Sequence, residues 1–216
     1  MKKVVYFLLA ILPLLVSFII YPTLPDRVPL HYGWNHQVDR WGSRSEIFIF
    51  PIVVLLMALV VLVLTKIIEK KEHGEKNQKI SILLGIWMLA FMDILFVFML
   101  YTISKGVVDL SRVPFAKIVF GGLGILLICM GNIMPKVGKN HMMGIRTKWS
   151  LYSDSTWKKS QRAGGITSIL VGVLILLLSL FSPMNVALLG SVCLLVVFLL
   201  AILLESYLIY KKYINS

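Results

Sequence analysis

Residues 47–67 of the chain read IFIFPIVVLLMALVVLVLTKI, an apolar run in which the first charged residue is Lys66. A helix of about 20 residues rises about 30 Å, which is the thickness of the hydrocarbon core of a bilayer. The run is too long for a strand, and its apolar residues do not leave one polar face to water. It therefore predicts a helix that spans a membrane.

The remaining sequence has the same character. Of the 216 residues, 58% are hydrophobic and 15% are charged, whereas soluble domains are about 45–50% apolar and about 25% charged. We predict an all-α polytopic membrane protein in which residues 1–216 form a single membrane domain. Six transmembrane helices are expected, at residues 4–21, 47–67, 80–103, 115–134, 163–182 and 185–209. The first is read as a retained anchor, since no small-residue cleavage site follows it.

The distribution of basic residues predicts the orientation. Sixteen of the 22 Lys and Arg residues lie in the N-terminus, the second and fourth connections and the C-terminal tail. The positive-inside rule places these parts, and so both termini, in the cytoplasm. The same rule explains the net charge of +12 without a nucleic-acid partner. We call residues 22–46 the first connection, which is predicted to be extracellular, and residues 135–162 the fourth connection, which is predicted to be cytoplasmic.

The first connection lies within YPTLPDRVPLHYGWNHQVDRWGSRSE, residues 21–46. Its prolines exclude a regular helix and favour extended or turn backbone. We therefore expect a compact flap on the outer face of the membrane. His31 and Asp39 are expected to hydrogen-bond to each other and to hold the shape of this flap.

The same segment contains candidate metal ligands. The right ligand atoms are carried by His31, His36, Asp26, Asp39 and Glu46, but their spacing matches no zinc signature. Cys129 and Cys193 lie inside apolar runs and have no metal-binding spacing. The sequence predicts no metal and no cofactor.

The fourth connection and the residues after it contain NHMMGIRTKWSLYSDSTWKKSQRAGG, residues 140–165. Within it, SDSTWKKSQR predicts a short amphipathic helix on the membrane surface, with Ser153 as its N-cap. Trp149 and Trp157 are expected at the level of the lipid headgroups, where the cations can meet phosphates. Arg146 has the geometry to bind a carboxylate or a phosphate through two parallel hydrogen bonds.

One acidic residue, Asp93, falls near the centre of the third predicted helix. A charge at that depth costs about 2.5–3.5 kcal/mol on insertion scales, so Asp93 should face the bundle interior or be protonated. The candidate partners are Ser17, Asn132 and Lys117. Two interpretations stay open: a functional intramembrane acid, or a neutral Asp that makes one interhelical hydrogen bond.

Two blocks of the sequence resemble the SdpI family of bacterial membrane proteins. One is the run from Gly131 to Gly165, with GN-MPK, N---GIRT-W, a second Trp and R--GG. The other is YP-LPDRVPLH followed by D-WGS. The matching residues are Asn140, Gly144, Arg146, Thr147, Trp149, Trp157, Arg162 and Gly165 in the first block and His31, Asp39 and Trp41 in the second. Similar segments usually carry Gly at the position of His36, which questions whether the turn there needs a glycine.

The resemblance implies a function. Members of this family give immunity to a secreted, membrane-active peptide toxin, and some also act as sensors that sequester a small cytoplasmic transcriptional repressor. The implied location is the bacterial cytoplasmic membrane, and the partners are the bilayer, the toxin and the repressor. No catalytic residue is implied, so we do not expect an enzyme, and the matched residues above are candidates for binding these partners.

Two other hypotheses come from the residues themselves. Asp93 is compatible with a small ion or peptide transporter, because intramembrane acids often mark transport pathways. A membrane-embedded metal-dependent enzyme would use His31, His36 and Asp39 on one side, or Arg146 on the other.

Overall fold

The computed structural model describes residues 2–33, 36–69, 74–140 and 142–215, without the side chains of Ile68, Glu69 and Arg112. Within these ranges it has six long helices: α1 (Lys2–Ile20), α2 (Ile49–Glu69), α3 (Gly74–Ser104), α4 (Phe115–Ile133), α5 (Asp154–Phe181) and α6 (Met184–Ile214). All six are long and apolar enough to span a membrane. The predicted number of transmembrane helices is therefore confirmed.

The distribution of side chains on α6 is the reverse of that in a soluble protein. Its buried residues are Ala187, Ser191 and Ser206, whereas Leu199 and Leu200 are more than half exposed. Small and hydroxyl-bearing residues at helix contacts, with leucines outside, are typical of helices surrounded by lipid. The helix therefore packs through its small residues and presents its apolar surface to hydrocarbon.

The chain forms two compact units, Met1–Val63 with Gly85–Phe115, and Leu64–Leu84 with Ala116–Ser216. The first unit has a core of Leu24, Val28, Ile47 and Ile103. In the same unit the Tyr6 hydroxyl of α1 donates a hydrogen bond of 2.8 Å to the carbonyl of Ala58 in α2. This bond satisfies the one polar group of a side chain that is otherwise buried among apolar atoms.

The first connection contains a β-hairpin, in which the extended backbone predicted from its prolines is present as two paired strands. Strand β1 (Arg27–Tyr32) pairs antiparallel with β2 (Val38–Ser43), with breaks in register between Pro29 and His31 and between His31 and Tyr32. Prolines prevent a helix here, and the extended backbone that results must still satisfy its N–H and C=O groups. Pairing the two extended segments with each other does so.

His36 lies in the turn of this hairpin and adopts a φ of +63°. Its N–H donates to the carbonyl of Gly33 over 2.9 Å, and Gly33 donates in turn to Gln37. Positive φ is the conformation that glycine adopts without steric cost. The turn therefore does use the positive φ that glycine favours, and in this chain a histidine adopts it at a steric cost.

In the second unit α4 and α5 pack closely through glycines. A Cβ added to Gly172 would lie 2.6 Å from the carbonyl oxygen of Gly124, and one added to Gly165 would lie 2.7 Å from that of Gly131. Such distances show backbone in direct contact with backbone, as in other small-residue helix interfaces. The core beside this contact is formed by Leu127, Val171 and Ile175.

Helix α5 differs from its prediction. Residues 154–181 form one continuous helix, so the separate amphipathic surface helix is wrong. The predicted N-cap is confirmed, because the Ser153 hydroxyl accepts from Thr156 N–H at 3.1 Å and the Thr156 hydroxyl accepts from Ser153 N–H. Gly164 and Gly165 do not interrupt the helix and do not mark a turn. They provide room for neighbouring segments.

Asp93 of α3 is 7% exposed, which confirms that it faces the interior. Neither of its carboxylate oxygens has a hydrogen-bond partner in the described part of the chain. The suggested pairing with Ser17 is wrong, because the Ser17 hydroxyl donates to the carbonyl of Pro13 in its own helix.

Candidate functional site in the fourth connection

The fourth connection begins with a short 3-10 turn, Met134–Lys136, after which the backbone is irregular up to α5. Asn77 of α3, which is fully buried, fixes the start of this path. The side-chain oxygen of Asn77 accepts from Gly138 N–H at 2.9 Å, and its side-chain amide group donates to the backbone carbonyl of Gly138 at 3.2 Å. A side chain here satisfies backbone groups that no regular structure would pair.

Asn140 shapes the next turn. Its side-chain oxygen accepts from the N–H groups of Met142 and Met143, both at 2.7 Å. Its amide group donates to the carbonyl of Gly138 at 2.8 Å. This is the usual way in which an Asn side chain replaces backbone pairing in a turn, so the hydrogen-bonding capacity of Asn140 is used within the fold.

Gln161 of α5 holds the centre of the connection. It is fully buried, and its side-chain oxygen accepts from Ile145 N–H at 3.1 Å while its amide group donates to the carbonyl of Ile145 at 3.0 Å. Gly144, immediately before Ile145, has a φ of +84°. The turn thus lies directly over the Gln161 carboxamide, where a side chain at position 144 would not fit.

Thr147 and Ser150 form a second set of hydrogen bonds that fixes the turn. The Thr147 N–H donates to the Ser150 hydroxyl at 3.0 Å, and the Ser150 N–H donates to the Thr147 hydroxyl at the same distance. The Ser150 hydroxyl also donates to the carbonyl of Ile145 at 2.8 Å. Thr147 further hydrogen-bonds with Ser206 of α6, so the turn is tied to α5 through Gln161 and to α6 through Thr147.

Trp157 is 1% exposed, and its indole N–H donates to the carbonyl of Val137 at 2.9 Å. The prediction that this ring lies among the lipid headgroups is therefore wrong. The ring is apolar enough to be buried, and its single donor has a backbone acceptor. Gly165 is likewise used for packing against α4, as described above.

The remaining residues of the block are accessible. Arg146 and Arg162 are exposed. Trp149 packs edge-on against Tyr207 of α6 with ring centroids 5.2 Å apart, and the amino group of Lys148 lies 5.6 Å from the centre of the Trp149 ring.

Nearby, Tyr152 makes edge contacts with two further tyrosines of α6, Tyr210 and Tyr213. We call the surface formed by Trp149, Tyr152, Tyr207, Tyr210 and Tyr213 the aromatic face.

The block thus separates into two groups. Asn140, Gly144, Thr147, Trp157 and Gly165 build the connection. The second group is accessible on the surface of the connection and consists of Arg146, Trp149 and Arg162.

In the first unit the predicted contact of the first connection is confirmed, since His31 Nδ1 lies 2.6 Å from Asp39 Oδ1. Both side chains are at least half exposed, and Trp41 is 44% exposed. Within the described ranges, no group of three or more His, Cys, Asp or Glu side chains has an arrangement that could hold a metal ion.

A pocket of about 380 Å³ lies between the hairpin and the ends of α2 and α3 that adjoin it. Its walls are mainly apolar, and the lining includes Leu30, His31, Phe50, Leu95 and Phe98. Tyr32 closes one side, and its hydroxyl donates to the carbonyl of Val107 at 2.8 Å. Burial raises the pKa of the Tyr32 phenol above its ordinary value.

Comparison with known proteins supports the resemblance. Residues 136–211 match the SdpI/YfhL protein family, and residues 8–64 match a domain of unknown function, DUF1648. Over 98% of the chain, and 97% of the relative, the sequence is 29% identical to the protein named "Immunity protein SdpI" of Bacillus subtilis (strain 168).

A shorter segment of 53 residues, 24% of this chain and 29% of the relative, is 40% identical to an uncharacterized protein of Archaeoglobus fulgidus. No solved structure matches the chain. The match over residues 136–211 and the 29% identity along almost the full length confirm the resemblance of this multi-pass membrane protein to the SdpI family.

Proposed function

We propose that this chain is an integral membrane immunity protein that gives resistance to a secreted, membrane-active peptide toxin. The observation that carries the proposal is the similarity over 98% of the chain to a protein named for immunity. The relative is matched over nearly its whole length, so the similarity includes both connections and all six helices. The proposal includes no catalytic step and no cofactor.

The proposed location is the bacterial cytoplasmic membrane, with residues 1–216 as one membrane domain. The distribution of Lys and Arg supports cytoplasmic termini and a cytoplasmic fourth connection. The first connection then lies on the outer surface, where a secreted toxin arrives.

The pocket beside the hairpin is our candidate for toxin contact. Its aromatic and aliphatic walls suit the apolar side chains of a membrane-active peptide. His31 lines the pocket, and its pairing with Asp39 fixes the ring in place. Trp41, exposed on the neighbouring strand, adds a large amphipathic surface that favours such contacts.

The exposed part of the fourth connection is our candidate for contact with a cytoplasmic repressor. Trp, Tyr and Arg are the residues most enriched at energetically important interface positions. Arg146, Trp149, Arg162 and the aromatic face provide this composition on one unit of the chain. The buried residues of the block support the surface rather than form it.

A transporter is kept as a second candidate because of Asp93. Its carboxylate is buried in a helix that is long enough to span the membrane, and it lacks a hydrogen-bond partner among the described residues. Such a group is the kind of residue that transport pathways use. Proton or peptide movement across liposomes that contain the purified protein would favour this candidate.

The immunity proposal predicts survival of toxin-sensitive cells that express the chain, under toxin doses that kill cells with an empty vector. Leu95→Trp should abolish survival at unchanged protein levels, because Leu95 lines the outer pocket and the larger ring would fill it. Survival is measured as colony counts after exposure to purified toxin.

The matched control is Ile94→Trp, because Ile94 is the neighbouring residue, is 57% exposed and does not line the pocket. This variant should protect as well as the unmodified chain. Survival no better than the empty vector for the unmodified chain would disprove immunity. Full protection by Leu95→Trp would disprove the role of the pocket only.

A further inference from the structure

A second pocket, of about 370 Å³, lies within the second unit beneath the turn at residues 144–147. Its body is apolar and is lined by Leu127, Met130 and Met134 from α4 and the turn after it, and by Phe198 and Leu203 of α6. Pockets that bind small ligands have volumes of about 300–1,000 Å³. Met130 and Leu203 remain 38% and 46% exposed, so the apolar part is open to the lipid around the helices.

The polar end of this pocket has one charged lining residue among those described, Arg146. Its guanidinium offers several N–H donors in one plane, which match the geometry of a phosphate. The pocket therefore combines an apolar body with a cationic end, and the ligand that fits it has a hydrocarbon chain and an anionic group.

The backbone around the pocket offers little to a peptide. Both the N–H and the C=O of Ile145 are paired with Gln161, and the N–H of Thr147 is paired with Ser150. A bound peptide has its own N–H and C=O groups to satisfy, and leaving them unpaired in an apolar pocket is costly. A lipid chain has no such groups.

We propose that this pocket binds an anionic phospholipid of the surrounding bilayer, with an acyl chain along Met130, Phe198 and Leu203 and the phosphate at Arg146. The proposal goes beyond toxin immunity and depends only on the membrane location of the second unit. Because Arg146 belongs to the turn that the Gln161 contacts hold, a bound lipid would connect the composition of the membrane to the conformation of the fourth connection.

The test uses the full-length purified protein in mild detergent with three separate additions. These are phosphatidylglycerol, phosphatidylcholine with the same acyl chains, and inorganic phosphate. We measure retained lipid by mass spectrometry and the midpoint of thermal unfolding. Phosphatidylglycerol should be retained and should raise the midpoint, whereas phosphatidylcholine and free phosphate should have little effect.

Two variants test the two ends of the pocket. Arg146→Gln should lower the affinity for phosphatidylglycerol about tenfold, as expected when a charge-assisted hydrogen bond is lost. Met130→Trp should prevent retention by filling the apolar body, and it keeps the test valid if Arg146→Gln does not fold. Lys158→Gln removes another exposed cation, which does not line the pocket, and Ile125→Trp enlarges an exposed residue of α4 outside it. Both controls should retain the lipid.

Several results would overturn the proposal. Equal effects of phosphatidylcholine and phosphatidylglycerol would remove the role of the anionic group, and an equal effect of inorganic phosphate would remove the role of the chain. Unchanged retention by Met130→Trp would place the lipid elsewhere. Absence of retained lipid together with a dimer that shields Met130 would identify the pocket as a contact between two copies.

Discussion

Gly144→Ala is expected to lower the free energy of unfolding by about 3 kcal/mol or more. The φ of +84° alone would cost an alanine about 1–2 kcal/mol. The added Cβ would also lie 2.5 Å from the side-chain oxygen of Gln161. If Gln161 moves away, the N–H of Ile145 loses its partner in a buried position, at about 1–3 kcal/mol, whereas the C=O of Ile145 keeps its hydrogen bond from the Ser150 hydroxyl. Thermal or urea unfolding of the purified protein measures the effect.

Gly106→Ala is the matched control for this prediction. Gly106 also has a positive φ, of +59°, but nothing lies within 4 Å of a Cβ added there. It should therefore lose only the backbone term of about 1–2 kcal/mol. Equal losses for the two variants would show that the contact between Gly144 and Gln161 contributes nothing to stability.

The second large effect is expected for Gly124→Ala in α4. A Cβ at this position would lie 2.7 Å from the carbonyl oxygen of Gly172 and 3.1 Å from the backbone nitrogen of Leu176. Both are backbone atoms of α5, so no change of rotamer relieves the collision and the two helices must separate. Overpacking of a core typically costs about 1–3 kcal/mol. We expect the upper end of this range, measured as a lower midpoint of thermal unfolding.

Gly121→Ala provides the comparison on the same helix. Its added Cβ would lie 3.5 Å from Cβ of Ser179, which is an ordinary van der Waals contact. This variant should unfold at nearly the temperature of the unmodified protein. Helix propensity favours alanine at both positions, so equal damage by Gly121→Ala and Gly124→Ala would show that the close contact of Gly124 with α5 does not determine the effect.

The transmembrane helices were predictable because their signal is the length of an apolar run, which each segment carries on its own. The hairpin was only partly predictable. Pro22, Pro25 and Pro29 exclude a helix from the first connection, but the pairing of β1 with β2 depends on the register of two separate segments. The positive φ of His36 has no signal in the residue itself, since histidine does not require that conformation.

The organisation of the fourth connection was missed for a different reason. Buried Asn77 and Gln161 each pair with the backbone of a residue distant in sequence, Gly138 and Ile145. Such contacts depend on the tertiary fold. A signal for the buried face of α5 was nevertheless present, because Trp157, Gln161, Gly164, Ser168 and Gly172 recur at helical spacing and all are buried. This spacing would have placed Trp157 inside the protein rather than at the headgroups.

The positive-inside rule predicts that the first and fourth connections lie on opposite sides of the membrane, with the fourth in the cytoplasm. Single cysteines test it directly, in a background in which Cys129 and Cys193 are replaced by Ala. Arg27→Cys and Lys158→Cys both introduce thiols at exposed positions. A membrane-impermeant maleimide added to intact cells should label the Arg27→Cys protein, and should label the Lys158→Cys protein only after the cells are permeabilised. Labelling of the Lys158→Cys protein in intact cells would contradict a cytoplasmic fourth connection.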